Sequence, residues 1–182
     1  MGLERHGKRI WVNSLGGPLI VLEACLLPHW QGIQNGDYER ACAIDGWFGT
    51  LPVADGFALV LADEPTMTTV VARPDGVVFA RWHAADDIDA VDRLLDALGT
   101  SDVSRAQMAT SSLTFADPSL VLFDFSQTGE SLSRFDVFAW RSIDEGALKF
   151  SLSPGTFSLE CQWLDPSGGM LSAIDLLRGK SP

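Results

Sequence analysis

The chain has 182 residues, of which 46% are hydrophobic and 20% charged, a globular composition that excludes a disordered chain. A chain of this length buries about 70% of its unfolded surface and folds without needing a disulfide or a metal. Its 24 acidic and 13 basic residues give a net charge of −11, which repels nucleic acid and anionic membranes and favours a basic partner. Solubility alone also explains an acidic composition, so both explanations stay open.

Cellular location follows from the cysteines and from the absence of long apolar runs in the sequence. Cys25, Cys42 and Cys161 are odd in number and widely spaced, which is a poor disulfide framework and predicts a reducing cytoplasm. No apolar run approaches the roughly 18 residues that a membrane span requires. Residues 1–9 are polar and predict a mobile N-terminus, and the polar break at residues 13–18 argues against a signal peptide.

The first elements in the chain are two strands, residues 10–13 and 18–23, separated by the Gly16-Gly17 turn. A helical turn or loop at residues 26–31 and an exposed loop at 32–37 follow. Asp37 is then a candidate cap for a short helix over residues 38–42.

Residues 41–82 form the most regular stretch of the chain. Short apolar or β-branched runs alternate there with Asp-Gly pairs at 45–46, 55–56 and 75–76, and with Asp63-Glu64-Pro65. Asp tolerates the positive φ that tight turns require, and Gly adopts it without steric cost. The pattern predicts an antiparallel meander of four or five strands.

The clearest helix covers residues 86–98. Ile88, Val91, Leu95 and Leu98 recur at helical spacing, with Asp86 and Asp87 at the favourable N-terminal end and Gly99 as a stop signal. The opposite face carries Asp89, Asp92 and Asp96. This acidic face is either an ordinary solvated surface or a docking face for lysines and arginines.

Residues 101–111 predict a loop or linker, and residues 112–178 a smaller β-rich part packed on the first part, with a tail at 179–182. Strands are predicted at 120–125, central in a sheet, and at 135–140. Strict alternation at 148–153 and 157–163 around Pro154-Gly155 predicts a hairpin with a type II turn and one buried face, followed by a strand at 170–177. The predicted fold class is therefore α+β, mostly antiparallel β: a meander with one amphipathic helix over residues 10–100, plus the C-terminal part.

The sequence offers little catalytic chemistry. Its histidines and cysteines show no zinc-ligand spacing, so neither a metal nor a cofactor is predicted. No nucleophile motif is present, although His83, a serine and a carboxylate in one pocket remain a route to a hydrolase. Most of the six tryptophans fall in apolar strands and are expected in the core. Trp47, beside its Asp-Gly turn, is the candidate for an exposed interface anchor.

Several short segments resemble the immunity protein 21 family. They are Trp11 to Ile20 with Leu26-Leu27-Pro28-His29-Trp30, Tyr38 to Cys42, Asp45-Gly46-Trp47-Phe48-Gly49, Ala58 to Leu61 with Asp63-Glu64-Pro65, and Arg81-Trp82. Members are bacterial proteins encoded beside polymorphic toxins, and the family is expected to bind and neutralise those toxins. The family has no shared catalytic motif, so the resemblance implies a role without supplying a site.

The sequence thus predicts a cytoplasmic, non-enzymatic immunity protein that occludes a cognate toxin, with its acidic surface facing a basic partner such as a nuclease domain. The oligomeric state is left undetermined. The alternatives are a small-ligand or carbohydrate-binding β module, and the hydrolase mentioned above. The candidate contact residues are Asp63, Glu64, Asp86, Asp87, Asp89, Asp92, Asp96 and Trp47.

Overall fold

A computed structural model describes residues 3–6, 9–62, 66–85, 87–100, 110–133, 146–164 and 169–178. The structure is mostly antiparallel β, with 53% strand in two sheets and 22% helix. Its strands are β1 (Leu3–His6), β2 (Arg9–Val12), β3 (Leu19–Glu23), β4 (Phe48–Val53), β5 (Gly56–Leu61), β6 (Met67–Arg73), β7 (Gly76–Ala85), β8 (Thr110–Phe115), β9 (Ser119–Asp124), β10 (Ala147–Ser151), β11 (Gly155–Leu164) and β12 (Gly169–Arg178). The helices are α1 (Asp37–Cys42), α2 (Ile88–Thr100) and α3 (Gly129–Ser133), with 3-10 turns at Ala24–His29 and Gly32–Gln34.

The strands form two sheets, and the chain crosses between them more than once. The seven-stranded sheet has the order β1-β2-β6-β7-β12-β11-β8, and the five-stranded sheet the order β10-β9-β3-β5-β4. The chain divides into two compact units. Unit 1 comprises Met1–Glu4, Val12–Thr66 and Asp117–Ser153, and unit 2 comprises Arg5–Trp11, Met67–Ala116 and Pro154–Pro182. This division differs from the predicted split into residues 10–100 and 112–178, because each unit takes segments from both halves of the chain.

Unit 1 is built around the pairing of β3 with β9. All five residues of β3 are buried, and β3 lies between β9 and β5. The apolar cluster of this unit includes Ile20, Leu22, Val60 and Phe123, and Trp30 packs edge-on against Phe123 with ring centroids 5.9 Å apart. The prediction that residues 120–125 lie centrally in a sheet is confirmed, because β9 has β10 on one side and β3 on the other.

Unit 2 has its core where α2 packs against strands of the seven-stranded sheet. Val91, Leu95 and Leu98 of α2 are completely buried and share an apolar cluster with residues of β6, β7 and β12. Trp11 is also completely buried there and meets Trp82 edge-on at 5.2 Å. The helical spacing read from the sequence therefore identified the face of α2 that is buried.

Two predicted strand pairings are wrong. The stretch 41–82 contains four strands as expected, but β4–β5 and β6–β7 are hairpins in different sheets and do not form one meander. Likewise β10 pairs with β9 in one sheet, whereas β11 pairs with β12 and β8 in the other, so Pro154-Gly155 does not close a hairpin. Alternating hydrophobicity predicts that a segment is a strand with one buried face, but it carries no information about the partner strand.

Several smaller predictions also change. The predicted strand at residues 10–13 is confirmed by β2, but β1 lies in the segment that was predicted to be mobile. Thr110–Phe115 is a strand that overlaps the predicted linker. The helix α1 begins at Asp37 itself, whose carboxylate accepts from the Gln31 amide and from Arg40 and does not cap the helix. The helix α3 was not predicted. The predicted strand 135–140 and most of the linker lie outside the described residues.

Leu95 and Leu94 provide a stability test of the α2 packing. Leu95→Ala is expected to lower the free energy of unfolding by about 2–5 kcal/mol, because it leaves a cavity at a fully buried site. Leu94→Ala is the matched control, since the neighbouring Leu94 is only partly buried in the same cluster, and it is expected to cost clearly less. Urea unfolding followed by tryptophan fluorescence measures both. Equal losses would contradict the observed orientation of α2.

Candidate partner-binding surfaces

The acidic residues of α2 do not form the continuous charged face that the sequence suggested. The carboxylate of Asp87 accepts hydrogen bonds from the backbone amides of Asp89 and Ala90 at 2.9 and 3.2 Å, so it caps the helix. It also lies 3.6 Å from the guanidinium of Arg93. Asp89 is exposed.

Asp92 is a correction, because its side chain is buried rather than exposed on a docking face. Only 5% of the residue is accessible, and its carboxylate lies 3.9 Å from Arg9 Nε. Nη2 of the same Arg9 guanidinium donates a hydrogen bond to the Asp96 carboxylate at 2.6 Å. Arg9 of β2, which the sequence placed in a mobile segment, therefore shares its single positive charge between two of the three carboxylates. The negative charge of the helix is reduced but not abolished, since Asp89 is exposed.

The remaining predicted contact residues are either partly buried or outside the described residues. Trp47 is partly buried, and its backbone carbonyl accepts from the Ala62 amide at 3.0 Å. Asp63, Glu64 and Asp86 lie outside the described residues. The structure thus brings Asp87, Asp89, Asp92 and Asp96 together on one helix, but it does not make them one exposed surface.

The net charge is concentrated in unit 1. Its sequence segments contain 14 acidic and 4 basic residues, a net charge of −10, whereas those of unit 2 contain 10 acidic and 9 basic residues, a net charge of −1. The basic N-terminal residues and the acidic helix belong to the same unit, where their charges cancel. Most of the net negative charge of the chain therefore belongs to unit 1.

Part of this charge is exposed at the surface of unit 1. Among the described residues, Glu39, Asp45, Asp55 and Glu130 are exposed. The nearby Arg40 does not offset them fully, because its guanidinium donates to the buried Asp37 carboxylate at 2.9 Å and to the Pro52 carbonyl at 2.8 Å.

Three large apolar side chains in the described part of the chain are strongly exposed: Leu15 at 64%, Ile33 at 62% and Trp163 at 49%. Leu15 and Ile33 belong to unit 1 and Trp163 to unit 2. Neither Leu15 nor Ile33 was among the predicted contact residues, although an apolar residue within a Gly-rich loop was an available signal. The alternation of the strand predicted Trp163 on a buried face, and that prediction is wrong.

The Leu15 loop is held by a buried carboxylate. Asp124, only 3% exposed at the end of β9, accepts from the Leu15 amide at 2.8 Å and from the Ser126 amide at 3.0 Å. Ser14 Oγ accepts from the amides of Gly16 and Gly17, both at 3.1 Å. A buried charge is costly unless hydrogen bonds satisfy it, so these contacts hold the loop in one conformation.

The Ile33 loop is fastened to the same turn that follows β9. Trp30 Nε1 donates to the Gln127 carbonyl at 3.0 Å, and the Gln31 amide donates to Asp37 at 2.9 Å. Gly32 adopts a φ of +58°, and a Cβ at this position would lie 2.5 Å from the Gln127 carbonyl oxygen. Only glycine permits this close approach. Leu15 and Ile33 therefore project from two loops that are anchored to residues 124–127.

His83 of unit 2 lies beside a serine, which is one of the contacts that a hydrolase would require. It is the extra residue of a β-bulge opposite Met170 and Leu171, and its Nε2 lies 2.8 Å from Ser172 Oγ. Its ring lies 5.0 Å from that of Trp163. Ser172 is completely buried, so an external substrate does not reach its oxygen, and the hydrogen bond instead orients the imidazole beside Trp163.

The described residues show no group of three or more His, Cys, Asp or Glu side chains that fits a metal ion. Partial desolvation raises the pKa of the Cys25 and Cys42 thiols, and the negative charges of Asp117 and Glu39 respectively add to this effect. Both shifts disfavour the thiolate, which is the nucleophilic form of cysteine. None of the described helices is long and apolar enough to cross a membrane.

These features describe a β protein with an acidic unit whose exposed apolar side chains stand on fastened loops, which is a surface suited to protein binding. The family model of Immunity protein 21 matches residues 10–169, nearly the whole chain, and the chain belongs to that family. Membership implies a cognate toxin as partner. No curated protein and no solved structure matches the chain.

Charge reversals in α2 test the revised description of the helix. Asp89→Lys is expected to change the free energy of unfolding by no more than about 0.5 kcal/mol, since Asp89 is exposed. Asp92→Lys is expected to cost about 3–5 kcal/mol, because it buries a second positive charge beside Arg9. Chemical unfolding of the two variants measures the difference. Similar stability of both would mean that Asp92 is exposed after all.

Proposed function

We propose that this protein binds a cognate bacterial toxin and neutralises it by occlusion, with the acidic unit 1 facing a basic toxin such as a nuclease domain. The proposal rests on membership of the immunity protein family across residues 10–169. Immunity protein families are generally non-enzymatic, so neutralisation requires only a surface that complements the toxin in shape and charge.

The charge distribution supports this orientation. A unit with a net charge of −10 attracts a basic partner over distances comparable to the Debye length, about 10 Å at 0.1 M salt. Such steering raises the association rate more than the final affinity. A basic nuclease domain meets this requirement because its own substrate is a polyanion.

Co-expression with the toxin domain encoded by the neighbouring gene tests the role itself. Cells that produce both proteins are expected to survive, and a stable complex is expected to co-purify, since occlusion requires direct binding. The toxin expressed alone provides the lethal reference. Continued killing in the presence of well-folded protein, with no complex recovered, would refute the proposal.

A matched pair of charge reversals tests which unit faces the toxin. Glu39 and Asp89 are both exposed acids in the first turn of a helix, α1 of unit 1 and α2 of unit 2 respectively. Glu39→Lys is expected to slow association with an inactivated toxin several-fold at low salt, because rim charges act mainly on the association rate. Asp89→Lys is expected to have little effect.

Stopped-flow association at two salt concentrations measures these rates. The difference between the two variants is expected to shrink as salt screens the exposed charges. A larger effect of Asp89→Lys than of Glu39→Lys would place the toxin on unit 2 instead.

A further inference from the structure

We infer that Leu15 and Ile33 are the apolar anchors of the toxin contact and enter apolar pockets on the toxin that are rimmed by lysines or arginines. This inference rests on the proposed function and assigns the contact to one end of the five-stranded sheet of unit 1. Both side chains are more than 60% exposed, although each interrupts an otherwise polar or glycine-bearing loop. Large exposed apolar side chains in a well-defined position are typical of binding anchors.

The two loops that carry these residues are tied to the same short turn, residues 124–127. The Leu15 amide binds the carboxylate of Asp124, and Gly17 packs against the ring of Phe125. On the other side, Gly32 lies against the carbonyls of Ser126 and Gln127. A turn of four consecutive residues therefore separates the attachment points of the two loops.

The loops are also fastened by contacts within unit 1 itself. Asp124 is buried and makes several hydrogen bonds, and Tyr38 stacks on Phe125 with ring centroids 4.5 Å apart. A prearranged anchor loses little conformational entropy when it binds, which strengthens the complex mainly by slowing dissociation.

The charges near the two anchors indicate which kind of partner surface would complement them. Glu39 lies on α1, six residues after Ile33, and Glu130 lies on α3, three residues after the turn that holds both loops. Both are exposed. A second copy of this chain would bring two units of net charge −10 together and be repelled. A basic toxin surface with apolar pockets satisfies both the charges and the anchors.

Alanine substitutions compare the anchors with Trp163, an exposed apolar residue of unit 2. The single variants Leu15→Ala and Ile33→Ala, the double variant, and Trp163→Ala are titrated with the inactivated toxin domain encoded by the neighbouring gene. Each unit 1 substitution is expected to weaken binding about tenfold, mostly through faster dissociation, as for interface hot spots. Trp163→Ala is expected to leave the affinity within about twofold.

Folding and self-association are controlled in the same experiment. Because Leu15 and Ile33 are exposed, their variants are expected to keep the urea-unfolding midpoint of the natural protein. Light scattering of the natural protein and the double variant is expected to give the same mass. A mass that falls in the double variant would assign the anchors to contact between copies of this chain and overturn the inference.

The outcomes separate this inference from the proposed function. If the natural protein does not bind the toxin, both fail. If it binds and rescues cells, but the double variant binds equally well, the proposed function stands and the anchors are wrong. If Trp163→Ala is the variant that loses affinity, the contact belongs to unit 2.

Discussion

The pairing of β3 with β9 is the interaction on which unit 1 depends. It joins residues about one hundred positions apart in the chain, placing Leu19 opposite Asp124 and Glu23 opposite Leu120. A buried carboxylate fastens each end: Glu23 accepts from the Asp117 amide at 2.6 Å, and Asp124 accepts from the Leu15 amide at 2.8 Å. Each carboxylate satisfies an amide that flanks the other strand, so the pair cannot slip in register without leaving a buried charge unsatisfied.

This arrangement has a consequence for binding. The hydrogen bonds that lock the strand pair also define the Leu15 loop, and the turn that follows β9 defines the Ile33 loop. A surface made of loops is normally mobile, but here buried groups of the sheet restrain them. On the proposed function, the acidic charge of unit 1 would attract the toxin at long range and its exposed apolar groups would act only at contact. The charge would govern mainly association, and the apolar groups mainly dissociation.

The distribution of charge illustrates how folding changes a property that looks obvious in the sequence. Along the chain, the basic residues near the N-terminus and the acids of the helix lie more than 75 positions apart, and the helix looks like an acidic patch. In the folded protein Arg9 lies within 4 Å of both Asp92 and Asp96, and Asp92 is buried, so the patch is smaller than the sequence suggested. Most of the net negative charge belongs to unit 1, where Arg40 is already engaged with Asp37.

The sequence by itself determined the family, the positions of most described strands and the buried face of α2, because these depend on short segments and on local periodicity. Only the tertiary structure decided that β10 and β11 belong to different sheets, that Asp92 is buried, and that the loops of Leu15 and Ile33 are anchored to the same turn. An alternating segment has the same pattern whichever strand it pairs with. An aspartate looks the same in the sequence whether it is exposed to water or lies beside an arginine of a distant strand. Pairing, burial and charge compensation are relations between distant residues, and they exist only once the chain has folded.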